Sequence, residues 1–242
     1  MTKVAFITGA SRGIGAGIAK RLVAEGFKVA VGYQSNKDSA DAIAQEADQG
    51  ISVQLDVGSR SSIKGAISCI ERDLGPVDIL VNNAGIAQEK PFFDITDDDW
   101  DNMLVVNLRS NFMLAQETLP HMLDQGWGRI VNISSIGGQW GGLNQVHYAA
   151  AKAAQLNFTR SLAKLFSEKG VTANAIAIGL AQTDMSAAEL SRDDGIKKVA
   201  GIPVGRLANV SEIAAAVNFL ISDEAGYITG QTINLNGGMY FD

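Results

Sequence analysis

Short, almost wholly apolar runs recur along the chain, separated by longer stretches whose apolar residues return every three or four positions. The runs are Lys3–Ile7, Lys28–Tyr33, Ser52–Leu55, Asp78–Val81, Arg129–Ile133, Thr172–Ile176 and Thr232–Leu235. The first and the fourth through sixth are nearly all apolar, as strands covered on both faces should be. Amphipathic stretches lie near 15–25, 38–48, 60–73, 97–122, 149–168 and 211–221. Thr96 with Asp99, and Ser211 with Glu212, read as helix starts. Such alternation builds a doubly wound parallel sheet of about seven strands with helices on both faces. No linker, repeat or low-complexity tract interrupts it, so residues 1–242 are expected to form a single α/β domain. The longest irregular region, about Gly179 to Gly205, reads as a substrate lid near 180–204 containing a short helix.

Composition narrows the function classes. A formal net charge of −6 and a pI near 5.0 argue against nucleic acid as a partner, which would call for a basic face. No apolar run approaches the roughly 18 residues of a membrane helix. Met1-Thr2-Lys3 leads straight into an apolar run and a glycine turn, with no signal-peptide pattern. The expectation is a soluble, cytoplasmic protein without a membrane partner. The lone Cys69 cannot form an internal disulfide; it fits a reducing compartment and reads as a small buried hydrophobe. His121 and His147 are the only histidines, and no spacing of Cys, His and carboxylates points to a metal.

The first run feeds the turn Thr8-Gly9-Ala10-Ser11-Arg12-Gly13-Ile14-Gly15. Glycines there let the backbone approach a phosphate, and the following helix directs its N-terminal N–H groups at the anion. The spacing G-x-x-x-G-x-G departs from the G-x-G-x-x-G dinucleotide fingerprint. Asn82-Asn83-Ala84-Gly85 closes the fourth run, and Asp56-Val57 follows the third. In a Rossmann-like sheet the ends of strands one and four flank the crevice where strand order reverses, so these segments suit a nucleotide. The second strand ends Tyr33-Gln34-Ser35-Asn36-Lys37, and the first acid, Asp38, comes late. NAD sites usually place an acid there, whereas NADP sites use a basic group. With Arg12 in the turn, NADP(H) is favoured over NAD(H).

Tyr148 and Lys152 stand four residues apart on an expected helix, so their side chains share a face. A nearby ammonium favours phenolate and is expected to lower the tyrosine pKa toward the working range. Ser135, thirteen residues earlier, closes the fifth strand and brings a hydroxyl to the same edge. Singly, each has an ordinary reading as a cap or a solvated helix face; together, behind a cofactor turn, they describe proton transfer at a carbonyl.

Over essentially its whole length the chain resembles the short-chain dehydrogenase/reductase family. The resemblance rests on Thr8 to Gly15, Asn82-Asn83-Ala84-Gly85, Asn107, Ser135 and Tyr148-Ala149-Ala150-Ala151-Lys152. It implies that Ser135 orients the carbonyl, Tyr148 exchanges the proton, Lys152 lowers the tyrosine pKa and holds the nicotinamide ribose, and Asn107 supports a water relay. It implies a cofactor site of Gly9, Ser11, Arg12, Gly13, Ile14, Gly15, Asp56, Val57, Asn83, Ala84, Gly85, Tyr148, Lys152, Gly179 and Thr183. The dinucleotide-binding half would be about 1–125 and the catalytic half about 126–242. A homotetramer is also implied, with the helices near 97–122 and 149–168 at its interface.

Gly128 to Ser135 and the tail Ile228-Thr229-Gly230 through Asn236-Gly237-Gly238-Met239-Tyr240 are similar to 3-oxoacyl-thioester reductases, whether the acyl group rides on acyl-carrier protein or on CoA. The implied reaction is NADPH-dependent reduction of a 3-oxoacyl thioester. A sugar, steroid or simple alcohol substrate is the alternative within the family, and a non-catalytic dinucleotide sensor the alternative outside it. Two positions depart from the family pattern. Ile178-Gly179 replaces the usual Pro-Gly, which bears on the geometry at Thr183, and Asp124-Gln125-Gly126-Trp127 lacks the basic residue common in carrier-protein reductases. Trp140, among glycines, can wall an acyl pocket or pack in the core. His147 should point away from Tyr148, and Arg160, Lys164 and Lys169 read as a solvated helix face.

Overall fold

The computed structural model describes residues 2–182 and 193–241. All seven expected strands form, with ends moved by at most two residues. They are β1 (Val4–Ile7), β2 (Lys28–Tyr33), β3 (Gly50–Gln54), β4 (Ile79–Asn82), β5 (Gly128–Ser135), β6 (Val171–Ile178) and β7 (Thr232–Leu235). They make one parallel sheet in the order β3-β2-β1-β4-β5-β6-β7. The chain runs outward from β1 to β3, then returns to place β4 on the other side of β1. The carboxyl ends of β1 and β4 therefore diverge into a crevice, where doubly wound folds hold their ligands.

Alternate residues of each strand feed two cores. Ala5, Ile7, Val29, Val31, Ile79, Val81, Val131 and Ile133 pack under α1 (Gly13–Ala24), α2 (Lys37–Ala44) and a late helix, Val210–Ile221. Phe6, Ala30, Val53, Leu80 and Ile130 face α3 (Arg60–Asp73), α5 (Ser110–Gln125) and α7 (Val146–Phe166). This two-sided burial explains why the central strands read as continuous apolar runs. Cys69 is half-buried beside the second core, with Arg72 donating to its sulfur, and so is less enclosed than expected.

The amphipathic stretch near 97–122 is one helical rod in three parts. α4 (Asp97–Leu104) starts at a Thr96/Asp99 capping box, a π-helical turn spans Val105–Arg109, and α5 continues to Gln125. A single π turn inside an α-helix shifts the facing of the residues it carries, and such turns occur often at functional sites. This one carries Asn107. Two short helices complete the description, α6 (Gly137–Trp140) and α8 (Asp193–Ala200), with Val210–Ile221 as α9. α9 begins earlier than the sequence reading placed it: Asn209 is its cap, its N–H donating to the Glu212 carboxylate at 2.8 Å, so Ser211 lies within the helix. α8 falls inside the irregular region read as a lid; Thr183, Met185 and Leu190 lie outside the described residues.

A polar ladder crosses the second core just below the crevice. Asn82 Nδ2 donates to Asn132 Oδ1 at 2.8 Å, and Asn132 Nδ2 donates to Thr159 Oγ1 at 2.8 Å. It ties β4, β5 and α7 together at one level. Asn132→Leu, close in size and more apolar, should nonetheless lower stability by about 1–3 kcal/mol, because it leaves the Asn82 amide donor buried without its partner. A lower urea midpoint with an unchanged m-value would show this.

Candidate active site

A cavity of about 720 Å³ opens at the switch point between β1 and β4. The glycine turn, the end of β2, the Asn83–Ala87 segment, the end of β5, the Tyr148/Lys152 face of α7 and Ile178–Ala181 line it.

Thr8 and Asn83 build its floor. The backbone N–H groups of Asn83 and Ala84 both donate to Thr8 Oγ1, at 3.1 and 3.0 Å. Asn83 Nδ2 returns two bonds, to Thr8 O at 2.9 Å and Gly9 O at 3.0 Å. Asn83 thus acts as a staple between β4 and the turn, its amide donors already engaged. Sequence reasoning gave Thr8 no role of its own; its place at a strand end before the turn was the only signal. Gly15 must be glycine, since a Cβ there would lie 2.4 Å from Asn83 Nδ2 and 2.5 Å from Gly9 O. At the start of α1 no side chain caps the helix: Arg12 occupies the cap position in extended backbone, φ −156°, and makes no capping bond. The first N–H groups of α1 have no side-chain acceptor, and Gly13, Ile14 and Gly15 border the cavity, an arrangement that suits an anion.

Gly9, Ser11, Arg12, Val57, Asn83, Ala84, Gly85 and Gly179 all line this space. Arg12 is exposed and lines the cavity together with Tyr33, Gln34, Ser35 and Asn36. Asp56 is not among the lining residues; its Oδ1 accepts from Gly58 N at 2.9 Å and stabilises the local turn. Ile178 closes β6 in register with Ser135 and Leu235, and its carbonyl accepts from Ile136 N at 2.9 Å. The strand therefore runs regularly up to Gly179.

Ser135, Tyr148, Lys152 and Asn107 converge at the other end. α6 presses so closely on α7 that a Cβ at Gly138 would sit 2.7 Å from the carbonyl carbon of Lys152, so only glycine fits. Ser134 Oγ donates to Lys152 O at 3.2 Å, fastening α7 to β5. Lys152 is buried, and its ammonium donates to Ile133 O at 2.8 Å and to Gln155 Oε1 at 3.4 Å. Burial pulls its pKa down to about 8. Asn107 is fully buried; its amide donates to Ile86 O at 3.0 Å while its Oδ1 accepts from Ile86 N at 3.2 Å, pinning the loop after β4. Gly85 fits between Asn107 and Lys152, whose Nζ would be 3.7 Å from an added Cβ.

The electrostatics differ from the sequence expectation in one respect. Burial pushes the Tyr148 phenol up from its ordinary pKa, and a hydrogen bond with Ser135 pulls it part of the way back. The Lys152 ammonium stands 5.8 Å from the ring centroid and spends its donors on Ile133 and Gln155. The shift on the phenol comes from burial and from Ser135, with the lysine set back from the ring.

Trp140 does not pack in the core; it is half exposed and meets Tyr240 edge to face at 6.4 Å. His147 is buried and points away from the cavity, with Nε2 2.7 Å from Gln88 Oε1. Arg160, Lys164 and Lys169 are exposed. Among the described residues no group of three or more His, Cys, Asp or Glu could hold a metal, and no helix is long and apolar enough to cross a membrane.

A family model described as Enoyl-(Acyl carrier protein) reductase matches residues 9–240. An acetoacetyl-CoA reductase of Rhizobium meliloti (strain 1021) is 47% identical over 242 residues, covering all of both chains, and one of Shinella zoogloeoides is 46% identical over the same span. A 3-oxoacyl-(acyl-carrier-protein) reductase of Escherichia coli (strain K12) is 43% identical over 239 residues, 98% of this chain and 97% of that one. The chain belongs to the short-chain dehydrogenase/reductase family. As a member of this oxidoreductase family it has a place for a nicotinamide cofactor, and the uncapped α1 start beside glycines without room for a Cβ accords with one.

The depressed Lys152 pKa carries a stability signature. Between about pH 8 and the unfolded lysine value the unfolded chain binds more protons, so native stability rises with pH across that window. The stability of the wild type relative to Lys152→Met should therefore increase by about 2 kcal/mol from pH 8 to 9.5, measured by urea unfolding of both proteins.

Proposed function

We propose that this enzyme reduces the keto group of a 3-oxoacyl thioester, on CoA or acyl-carrier protein, with NADPH as reductant. The observation that carries the reading is the convergence on one cavity of an uncapped, glycine-rich helix start and the Ser135–Tyr148–Lys152 set. When bound, the dinucleotide supplies the hydride. Gly9, Ser11, Gly13, Ile14 and Gly15 would hold its phosphates. Val57, Asn83, Ala84 and Gly85 would line its path, and Tyr148, Lys152 and Gly179 its nicotinamide end. Thr183, outside the described residues, is assigned to the same end from the family pattern alone.

Tyr148 holds the proton that passes to the substrate oxygen. Its raised pKa keeps the phenol protonated at neutral pH, ready to act as an acid. Ser135 hydrogen-bonds that oxygen, and the Lys152 charge lowers the energy of the phenolate left behind. Asn107 keeps Ile86, and with it the wall of the site, in place; the family's water relay is assigned to it as well.

The full-length likeness to two acetoacetyl-CoA reductases and to carrier-protein reductases supports the thioester. The lack of a basic residue from Asp124 to Trp127 tilts the reading toward CoA. An apolar groove between the α4–α5 rod and α7, lined by Leu104, Leu108, Phe112 and Phe158, supports a homotetramer that buries these helices. The single cysteine fits the reducing cytoplasm.

Acetoacetyl-CoA should be reduced with loss of NADPH absorbance, while polyols, steroids and simple ketones should be poor substrates. The reverse ranking would move the substrate elsewhere in the family, and inertness toward every carbonyl would leave the sensor reading. Tyr148→Phe should lower kcat at least 10²-fold with NADPH affinity within twofold of wild type. Arg12→Ala should raise the KM for NADPH about tenfold or more and that for NADH much less, since it removes a charge-assisted contact to the 2′-phosphate. Equal changes would reverse the cofactor assignment.

A further inference from the structure

His147, directly before Tyr148 on the first turn of α7, is fully buried and takes no part in the mechanism above. Its Nε2 lies 2.7 Å from Gln88 Oε1, and Gln88 Nε2 donates to Asp99 Oδ1 at 2.9 Å. The carboxylate fixes which way the Gln88 amide points. Turned over, its oxygen would face the Asp99 oxygen. With the amide nitrogen committed to Asp99, the amide oxygen faces the imidazole, so His147 must carry its proton on Nε2. Its Nδ1 has no hydrogen-bond partner among the described residues.

Asp99 is an unusually firm anchor. It accepts from Lys90 Nζ at 2.6 Å, from Thr96 N at 3.0 Å and from Thr96 Oγ1 at 2.8 Å, besides Gln88. These donors, Lys90 first, hold its carboxyl well below the usual carboxylate range, so it accepts at every working pH. The α4 cap thus fixes the outer end of a chain of hydrogen bonds whose inner end is the residue beside the proton donor. Between them lies the loop after β4, also held by Asn107 at Ile86 and by the bond from Lys90 N to Asn144 O at 2.7 Å. Ile86 and Ala87 of this loop line the same cavity as Tyr148.

We propose that His147, Gln88 and Asp99 form a positioning relay that sets the Ile86–Ala87 wall against the Tyr148 turn of α7, and so fixes where the substrate carbonyl sits relative to the phenol. None of the three touches the reacting atoms. The relay rests on the carbonyl-reductase reading for its consequence in turnover, but not for its consequence in Tyr148 placement. An error of about 1 Å in such a wall can reduce turnover by as much as 10²-fold. The dinucleotide, held by the glycine turn at the other end of the cavity, should not sense it.

Gln88→Ala, His147→Ala and the double variant test the relay with acetoacetyl-CoA and NADPH. Each single variant should lower kcat/KM for the ketone about tenfold or more, with the NADPH dissociation constant within twofold of wild type. The double variant should be no worse than the more damaging single, because both remove one shared contact. His147→Asn, which keeps a side-chain donor, should recover part of the loss. Gln88 is only half-buried, so its variant remains informative should His147→Ala fold poorly. Additive losses, wild-type kcat and KM in Gln88→Ala, or losses that merely track a lower folded fraction would each overturn the relay. Independently of turnover, the 13Cζ resonance of Tyr148, assigned by Tyr148→Phe, should shift in Gln88→Ala, and an unmoved resonance would also overturn it. Failure of the wild type to reduce any 3-oxoacyl thioester would sink the substrate assignment while the resonance still decides the relay.

Discussion

The buried ammonium of Lys152 is the constraint around which the Ser135 and Tyr148 end of the cavity is arranged. An unpaired charge in a protein interior is very costly, so it must be met by fixed acceptors. Here they are the Ile133 carbonyl, at 2.8 Å, and the Gln155 amide oxygen. Because Ile133 lies two residues before Ser135 on β5, satisfying the lysine fastens α7 at the height where Ser135 leaves the sheet. Ser134 repeats the attachment through the Lys152 carbonyl, and Gly138 lets α6 lie directly on the same backbone. Tyr148, one turn earlier on α7, is thereby delivered next to Ser135.

The same logic sets the dinucleotide end. Four hydrogen bonds between Thr8-Gly9 and Asn83-Ala84 lock the ends of β1 and β4 at a fixed separation. The glycine turn between β1 and α1 leads into a helix whose first turn has no side-chain cap. The polar ladder from Asn82 through Asn132 to Thr159 joins the two ends through the core. Stability and function are therefore not separate layers in this fold: the groups that hold the crevice in shape are buried polar groups with few spare partners.

Burial also alters the chemistry attached to the Tyr/Lys pair. Taken alone, a lysine near a tyrosine should acidify it. In the folded protein desolvation acts on both, raising the phenol and lowering the ammonium. Neither burial shift favours a standing phenolate.

The sequence by itself determined the architecture and named residues that meet at the crevice. Strands buried on both faces must be apolar throughout, so β1, β4, β5 and β6 were legible as runs, and their alternation with helices left a parallel sheet as the outcome. Gly9, Gly13 and Gly15, the Tyr148/Lys152 spacing and Ser135 were legible because the chemistry depends on residue type at short range. The tertiary structure alone decided what depends on contacts between distant segments. No pattern near Asn107 announces the π turn that carries it. Nor does any spacing reveal that Asp56 turns to Gly58, that Asn83 spends its amide on Thr8 and Gly9, or that His147 reaches Gln88 across 59 positions. Local periodicity records which face of an element is buried; it carries no information about which buried polar group meets which, since that is fixed only when the elements pack.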